Sequence, residues 1–494
     1  MTLVSVHARK ARWDQAIAVL EPAVKANPES KELLFVLVDF YMKKGRHDEA
    51  ITRLTPLIAA EPSLVPARML LGIAHLSKYN TAEAVKQFTQ VNEINPKLPL
   101  NHYYLARALM ARGDREGAKR EYKKALELAP DNKQIKVELA AVSGEKMDEA
   151  LLAAQVADLK KAVDRDPANV SSRYALARAY VAKNQMKEAE EEYAKILQAA
   201  PTFVPATLAL ANIRTRQGKL DEAGDLLKSA VRAEPNNVEA NLMLGGFYER
   251  KGNRELAVQH LETAHRANPT FANLKLRLAA LYASTGRVDE GLARVKEVLA
   301  TQPDLAAAHA VAGQLHLQRN NMSQALEALN TAVRLDPKLE AAHHSLGLAY
   351  EQSKDYDKAI AAYRKALALN PKSPRLLNNL AYAYARRGQN LSEALAFAQS
   401  ALEGAPNSPE ILDTVGFVHY QRGEYAKAEP LLKKATELNS KMAPVHYHLG
   451  MTYYRLGKRE DAVTALRRSL QVDDRFPEAQ DARRILKELG ASAS

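Results

Sequence analysis

A proline recurs at a fixed interval along nearly the whole chain. It stands at Pro28, Pro62, Pro96, Pro130, Pro167, Pro201, Pro235, Pro269, Pro303, Pro337, Pro371 and Pro406, and Ser440 and Asp474 continue the register without proline. The spacing is 34 residues, except for 37 between Pro130 and Pro167 and 35 between Pro371 and Pro406. Such a period rules out a few independent globules of roughly 150 residues each. It specifies a row of similar units that bury their apolar faces against one another. The proline ring removes an N–H donor, fixes φ and drives the preceding residue out of helical conformation, so each proline marks the end of a helix.

Other markers keep the same register. Twelve residues before the repeat proline stands Ala, at 16, 50, 84, 118, 189, 223, 257, 325, 359, 394, 428 and 462, with Gly291 in one repeat. Twenty-four residues before it stands Gly or Ala, at Gly72, Ala106, Ala177, Ala211, Gly245, Ala279, Gly313, Gly347, Gly416 and Gly450. Two helix backbones approach closely only where side chains are small, so these mark the crossing points of a helical hairpin. Gly45, Gly113, Gly218, Gly252, Gly286, Gly388, Gly423 and Gly457 fall at the turn inside each hairpin, where a positive φ is cheap only for glycine. Pro66, Pro205, Pro374, Pro409, Pro444 and Pro477 sit at or beside first helical positions. Glu340–Ser373 carries the pattern in full: two helical stretches split at Lys354, Gly347, Ala359 and Ala366 at the contacts, and Tyr350 and Tyr363 filling the space between.

This pattern resembles the tetratricopeptide repeat over nearly the whole chain. The resemblance implies an all-α, right-handed superhelical solenoid of about 14 helix-turn-helix repeats with a concave inner face. The expected organisation is N-terminal repeats over 1–132 with the first truncated, an irregular repeat over 133–169, regular repeats over 170–476, and a capping helix and tail over 477–494. In the irregular repeat, Met147-Asp148-Glu149-Ala150 starts a second helix that should run about five residues too long, after a short first helix and turn. It is read either as a tolerated insertion or as a hinge. Leu3, Val4 and Val6 form an apolar face that wants a neighbour, which suggests a piece of a longer or trimmed repeat protein. In Pro477–Leu489, Ala479, Ala482, Ile485, Leu486 and Leu489 are expected to cover the last repeat and close the array, with Glu478, Asp481, Arg483, Arg484, Lys487 and Glu488 in water.

Chemistry is sparse. The chain has no Cys, which excludes disulfides, thiolate nucleophiles and Cys-ligated metals. It has no apolar run of about 20 residues to span a bilayer. It shows no glycine-rich phosphate loop, nucleophile elbow or HExxH motif. Among the 13 His, His102, His309, His343 and His446 share the fourth position of their repeats, and His7, His75, His316 and His419 the eleventh, so they read as packing residues. His446 and His448, two apart on a helix, point to different sides and make no metal pair. No catalytic residue, metal or cofactor is assigned, and the chain is not expected to be an enzyme. The net charge of +12 is accounted for by solubility and mildly favours an acidic partner. Nucleic acid is not expected, because acidic residues are mixed among the Lys and Arg.

In the resembled family the groove is lined by positions 2, 5, 9, 12 and 13 of each first helix. Several Arg fall at these positions, including Arg107, Arg178, Arg216, Arg250, Arg386 and Arg455. The last three repeats are aromatic there. Asn378, Tyr382, Arg386, Asp413, Phe417, Tyr420, Gln421, Tyr447, Met451, Tyr454 and Arg455 are the candidate partner-binding surface, since aromatic anchors beside Arg bind at low entropic cost. The alternative is denser packing near the cap. Two specialisations of the family fit badly. The chaperone carboxylate clamp needs a Lys/Asn set that Asn212 and Asn379 do not complete, and the asparagine ladder of the O-linked N-acetylglucosamine transferase is matched only by Asn379.

LLNNLAYA (376–383) followed by LDTVGFVHY (412–420) resembles a pairing in bacterial tetratricopeptide proteins of exopolysaccharide export and exosortase systems. It implies a non-catalytic scaffold of an envelope or polysaccharide-secretion complex, periplasmic if an upstream signal was lost and otherwise cytoplasmic. A protein or acidic peptide is the first candidate ligand and a polysaccharide the second. The alternatives are a cytoplasmic peptide-binding adaptor and the regulatory array of an enzyme, such as a glycosyltransferase, whose catalytic part lies elsewhere.

Overall fold

The computed structural model describes residues 13–78, 80–144, 149–167, 169–269 and 271–492, and among them are 28 helices and no strand. The fold is an all-α helical-repeat solenoid. Each repeat is an antiparallel hairpin, as in Glu340–Gln352 followed by Tyr356–Leu369. Between these helices Ala359, Tyr363 and Ala366 are fully buried. A Cβ on Gly347 would collide with a Tyr363 ring carbon, so the ring occupies the space that the glycine leaves. The same exchange joins Gly72 to Phe88, Gly245 to Leu261, Gly313 to Leu329, Gly416 to Leu432 and Gly450 to Leu466. Burying each such side chain stabilises its repeat by about 1.5–3 kcal/mol.

The eight turn glycines all have positive φ, from 73° to 91°. Three other hairpins place Asn184, Asn320 or Lys354 there, with φ of 57° to 60°, and Asn390, two residues after Gly388 in the same turn, has φ of 54°. Asparagine tolerates this conformation, whereas Lys354 bears the steric cost of a Cβ. Asp355 then caps the second helix by accepting from the Lys358 N–H.

The fourth position of the first helix has a consistent task. His102, His309, His343 and His446 each use Nε2 to bond the carbonyl six residues upstream, at 2.8–3.0 Å. Asn241 makes the same bond to Pro235 and Arg173 to Pro167. A carbonyl left open at the end of the previous helix is thereby satisfied, which ties consecutive repeats together. The recurrence of histidine at this register is a packing device, as the spacing suggests.

In the irregular repeat the first helix spans Lys133–Ser143 and the second Glu149–Arg165, 11 and 17 residues, against 13 and 14 in Glu340–Gln352 and Tyr356–Leu369. The described part of the second helix is already three residues longer; its expected start at Met147 and Asp148 lies outside the described residues, as do Leu3, Val4, Val6 and His7. The final helix is Ala479–Glu488. Pro477 stands in the turn before it and not at a first helical position. Ala479, Ala482, Ile485 and Leu486 are buried as expected. Arg483, Arg484, Lys487 and Glu488 are exposed as expected, whereas Glu478 and Asp481 are half-buried.

The chain divides into two compact units, Met1–Leu278 and Ala279–Ser494. Among the described residues no helix is long and apolar enough to cross a membrane, and no cluster of three His, Asp or Glu could hold a metal.

Candidate functional site

Three consecutive first helices, Pro374–Arg387, Pro409–Gln421 and Ala443–Arg455, build the candidate site within the second compact unit. Ser373 and Ser408 cap the first two by accepting from the N–H three residues on, and Pro374 and Pro409 open them. This fixes the helical phase, so that positions 5, 9, 12 and 13 repeat on one face.

The ninth position carries the packing. Phe417 is only 5% exposed: its ring lies 5.7 Å from Tyr382, 6.4 Å from Tyr420 and 4.4 Å from His448. Met451 and Asp413 are each 7% exposed. These three groups support the groove from beneath and are not open contact residues. The sequence pattern places them on the inner face but does not show that neighbouring repeats bury them. Asp413 accepts a hydrogen bond from His448 Nδ1 at 2.8 Å, and His448 Nε2 is buried with no hydrogen-bond partner among the described residues. Asn378 is half-buried, contacts Asn379 at 3.5 Å and keeps its Oδ1 without a partner.

Above this floor opens a cleft of about 360 Å³, lined by Lys354, Tyr356, Arg386, Phe417, Tyr420, Gln421, Tyr447, His448, Met451 and Glu478. Six of the sequence candidates therefore share one cavity: Arg386, Phe417, Tyr420, Gln421, Tyr447 and Met451. Asn378, Tyr382, Asp413, Tyr454 and Arg455 do not line it. Tyr382 lies beneath the Arg386 guanidinium, and burial raises its hydroxyl pKa. The exposed Arg455 is held at the Tyr420 hydroxyl, which raises its pKa.

Arg386 is the best-connected side chain. Its guanidinium lies 6.0 Å from the Tyr356 ring and 5.9 Å from the Tyr382 ring, and its Nε donates to the Tyr356 hydroxyl. It forms an ion pair with Glu478 at 2.6 Å. The Tyr447 hydroxyl donates to Asp481 at 2.7 Å and the Tyr454 hydroxyl reaches Glu488 at 3.3 Å. Glu478 and Asp481, expected in water, are half-buried and satisfy a cationic and a phenolic group of the inner face, because the cap packs against the Ala443–Arg455 helix, whereas Glu488 stays exposed as expected while it meets Tyr454.

Sequence reasoning missed Lys354, Tyr356, His448 and Glu478. Only Lys354 carried a signal, since it replaces glycine in the turn register. His448 has no recurring register, and Tyr356 belongs to a second helix, outside the positions expected to line a groove.

Tetratricopeptide-repeat models match residues 8–72, 99–132, 313–354, 341–373, 362–396 and 419–486, together more than half of the chain. The C-terminal ARM domain model of tetratricopeptide repeat protein 21 matches 121–311. Comparison with curated proteins finds no match. Among solved structures, the APC/C hetero-tetramer Cut9–Hcn1 is similar at 16% identity over 98% of this chain and 95% of that one, with a TM-score of 0.48. A tetratricopeptide repeat protein from Parabacteroides merdae is similar at 19% identity, covering 50% and 98%, with a TM-score of 0.40. Yeast Tom70 is similar at 16% identity, covering 92% and 95%, with a TM-score of 0.35.

Proposed function

The chain belongs to the tetratricopeptide-repeat family, and on that premise we propose that it is a non-catalytic protein-interaction scaffold that grips a partner segment in the cleft of its second compact unit. The observation that carries this reading is the cleft itself: three tyrosines, Tyr356, Tyr420 and Tyr447, stand around a packed Phe417 floor, with Lys354 and Arg386 beside them. Rigid aromatic walls supply contact area at low entropic cost, and Lys354 favours a partner with an acidic residue, since Arg386 is already paired with Glu478. A role in a bacterial envelope or polysaccharide-secretion complex finds no counterpart in the comparisons, and the proposal is drawn without it.

The test must spare the floor. Truncating Phe417 to Ala would cost about 3–5 kcal/mol of packing and confuse binding with folding. Changing Lys354, Gln421 and Arg455 together to Glu alters the partly exposed turn and the exposed groove-side positions while leaving the buried residues alone. The intact chain and this variant are used as bait for cross-linked partners. The proposal predicts that a partner held by the parent is lost by a variant whose helical signal is unchanged. A partner retained at equal yield contradicts it.

A further inference from the structure

A second groove lies in the first compact unit, with different chemistry. Its cavity of about 530 Å³ is bounded on one wall by Tyr104, Arg107, Tyr174 and Arg178, and on the other by Glu234 and Glu239. The groove is closed by a contact across the unit: a Cβ on Gly45 would stand 2.6 Å from Glu234 Oε1.

Arg107 is the informative group. It is half-buried, and among the described residues its guanidinium makes no hydrogen bond and no ion pair. It lies 5.8 Å from the Tyr103 ring and 5.9 Å from the Tyr104 ring, which hold it toward the groove. Tyr104 is itself stacked on Phe88. A guanidinium offers five donors and no acceptor, and removing it from water without an acceptor is unfavourable. Arg178, two repeats further on at the same register, is 49% exposed and meets Glu138 only at 3.6 Å. Two forked cations thus face one cavity with little compensation on their own wall.

We infer that Arg107 and Arg178 receive a carboxylate side chain from an extended protein segment laid along this groove, with its apolar neighbours on Tyr104 and Tyr174. The guanidinium fork matches both carboxylate and phosphate. The opposite wall decides between them. Among the described residues Glu239 is exposed and has no ion-pair partner, and Glu234 is held by Asn237 at 2.7 Å. These carboxylates repel a phosphate of nearly two charges more strongly than a single carboxylate. This site is separate from the cleft of the second unit and does not rest on it.

The test is selection of a random 12-residue phage-displayed peptide library on the intact chain and on Arg107→Gln. The selected peptides are then synthesised with each Glu or Asp, with the matching Gln or Asn, and with phosphoserine, and binding is followed by fluorescence anisotropy. The inference predicts acidic peptides whose affinity falls by about 10- to 100-fold with the amide replacement or with Arg107→Gln. Because Arg107 has no hydrogen-bond acceptor among the described residues, Arg107→Gln should keep the parent thermal midpoint. If it does not, Arg107→Glu with Arg178→Glu supplies a readout that loss of packing would not: selection should turn from acidic to basic peptides. Selection without acidic preference, equal affinity of the amide peptides, tighter binding of the phosphoserine peptides, or unchanged selection by the double Glu variant each overturns it.

Discussion

Replacing Glu478 by Gln should loosen the C-terminal helix selectively. Glu478 pairs with Arg386 across 92 residues of sequence at 2.6 Å, with side chains only 14% and 23% exposed. Its side chain makes no capping bond to the helix it precedes, so the substitution removes the ion pair without uncapping Ala479–Glu488. Hydrogen bonds between charged groups contribute about 1.5–3 kcal/mol each, and loss of Glu478 leaves the half-buried guanidinium only the Tyr356 hydroxyl as acceptor among the described residues. Interactions in a repeat array are mostly between neighbours, and this pair reaches back only to the Pro374–Arg387 helix, so the loss should not extend to the repeats before it. Hydrogen exchange read by mass spectrometry should show amides of 479–488 exchanging about 10- to 100-fold faster, with protection in 306–369 unchanged. In the double-mutant cycle with Arg386→Gln, the two costs should fall well short of adding. Unchanged exchange in the cap, or strictly additive costs, would refute the claim that the cap is held through the groove.

Two further outcomes follow from the same geometry. Lys354→Gly relieves a left-handed conformation that costs a non-glycine residue about 1–2 kcal/mol, so the thermal midpoint should rise even as a cation leaves the cleft; a fall would show that the lysine side chain stabilises the turn. His344 is 5% exposed, accepts from Asn379 Nδ2 at 3.0 Å, and has its pKa lowered by burial from 6.5 to about 4. The unfolded chain therefore binds the proton first. This stability is complete above pH 6.5 and is lost as pH falls toward 4, at up to about 1.4 kcal/mol per pH unit. His344→Gln should flatten the decline of the thermal midpoint over this range relative to the parent, whereas parallel profiles would remove His344 as its source.

Architecture was legible because one physical constraint repeats. A glycine opposite Tyr363, a proline after most second helices and a glycine or another positive-φ residue in the turns leave only one way to fold the hairpin, and each copy confirms the others. The site was less legible because its residues are sorted by burial between repeats, which periodicity does not report. Phe417 and Tyr420 look equivalent as groove aromatics. Only packing against His448 and Tyr382 shows that the first is floor and the second wall. The acidic face of the last helix likewise reads as a solvated surface until Arg386 and Tyr447 are seen to meet it. Histidine at the fourth position was readable as structural, but its carbonyl partner was not.

Site-specific photo-cross-linking tests the interaction reading most directly. A benzophenone amino acid is placed at Gln421, exposed at the cleft, and separately at Lys434, exposed on the second helix of the same repeat. In cells producing the intact chain, the account predicts a discrete adduct with one partner from position 421 that position 434 does not give. Equal adducts from both positions, or an adduct from 434 alone, would contradict it.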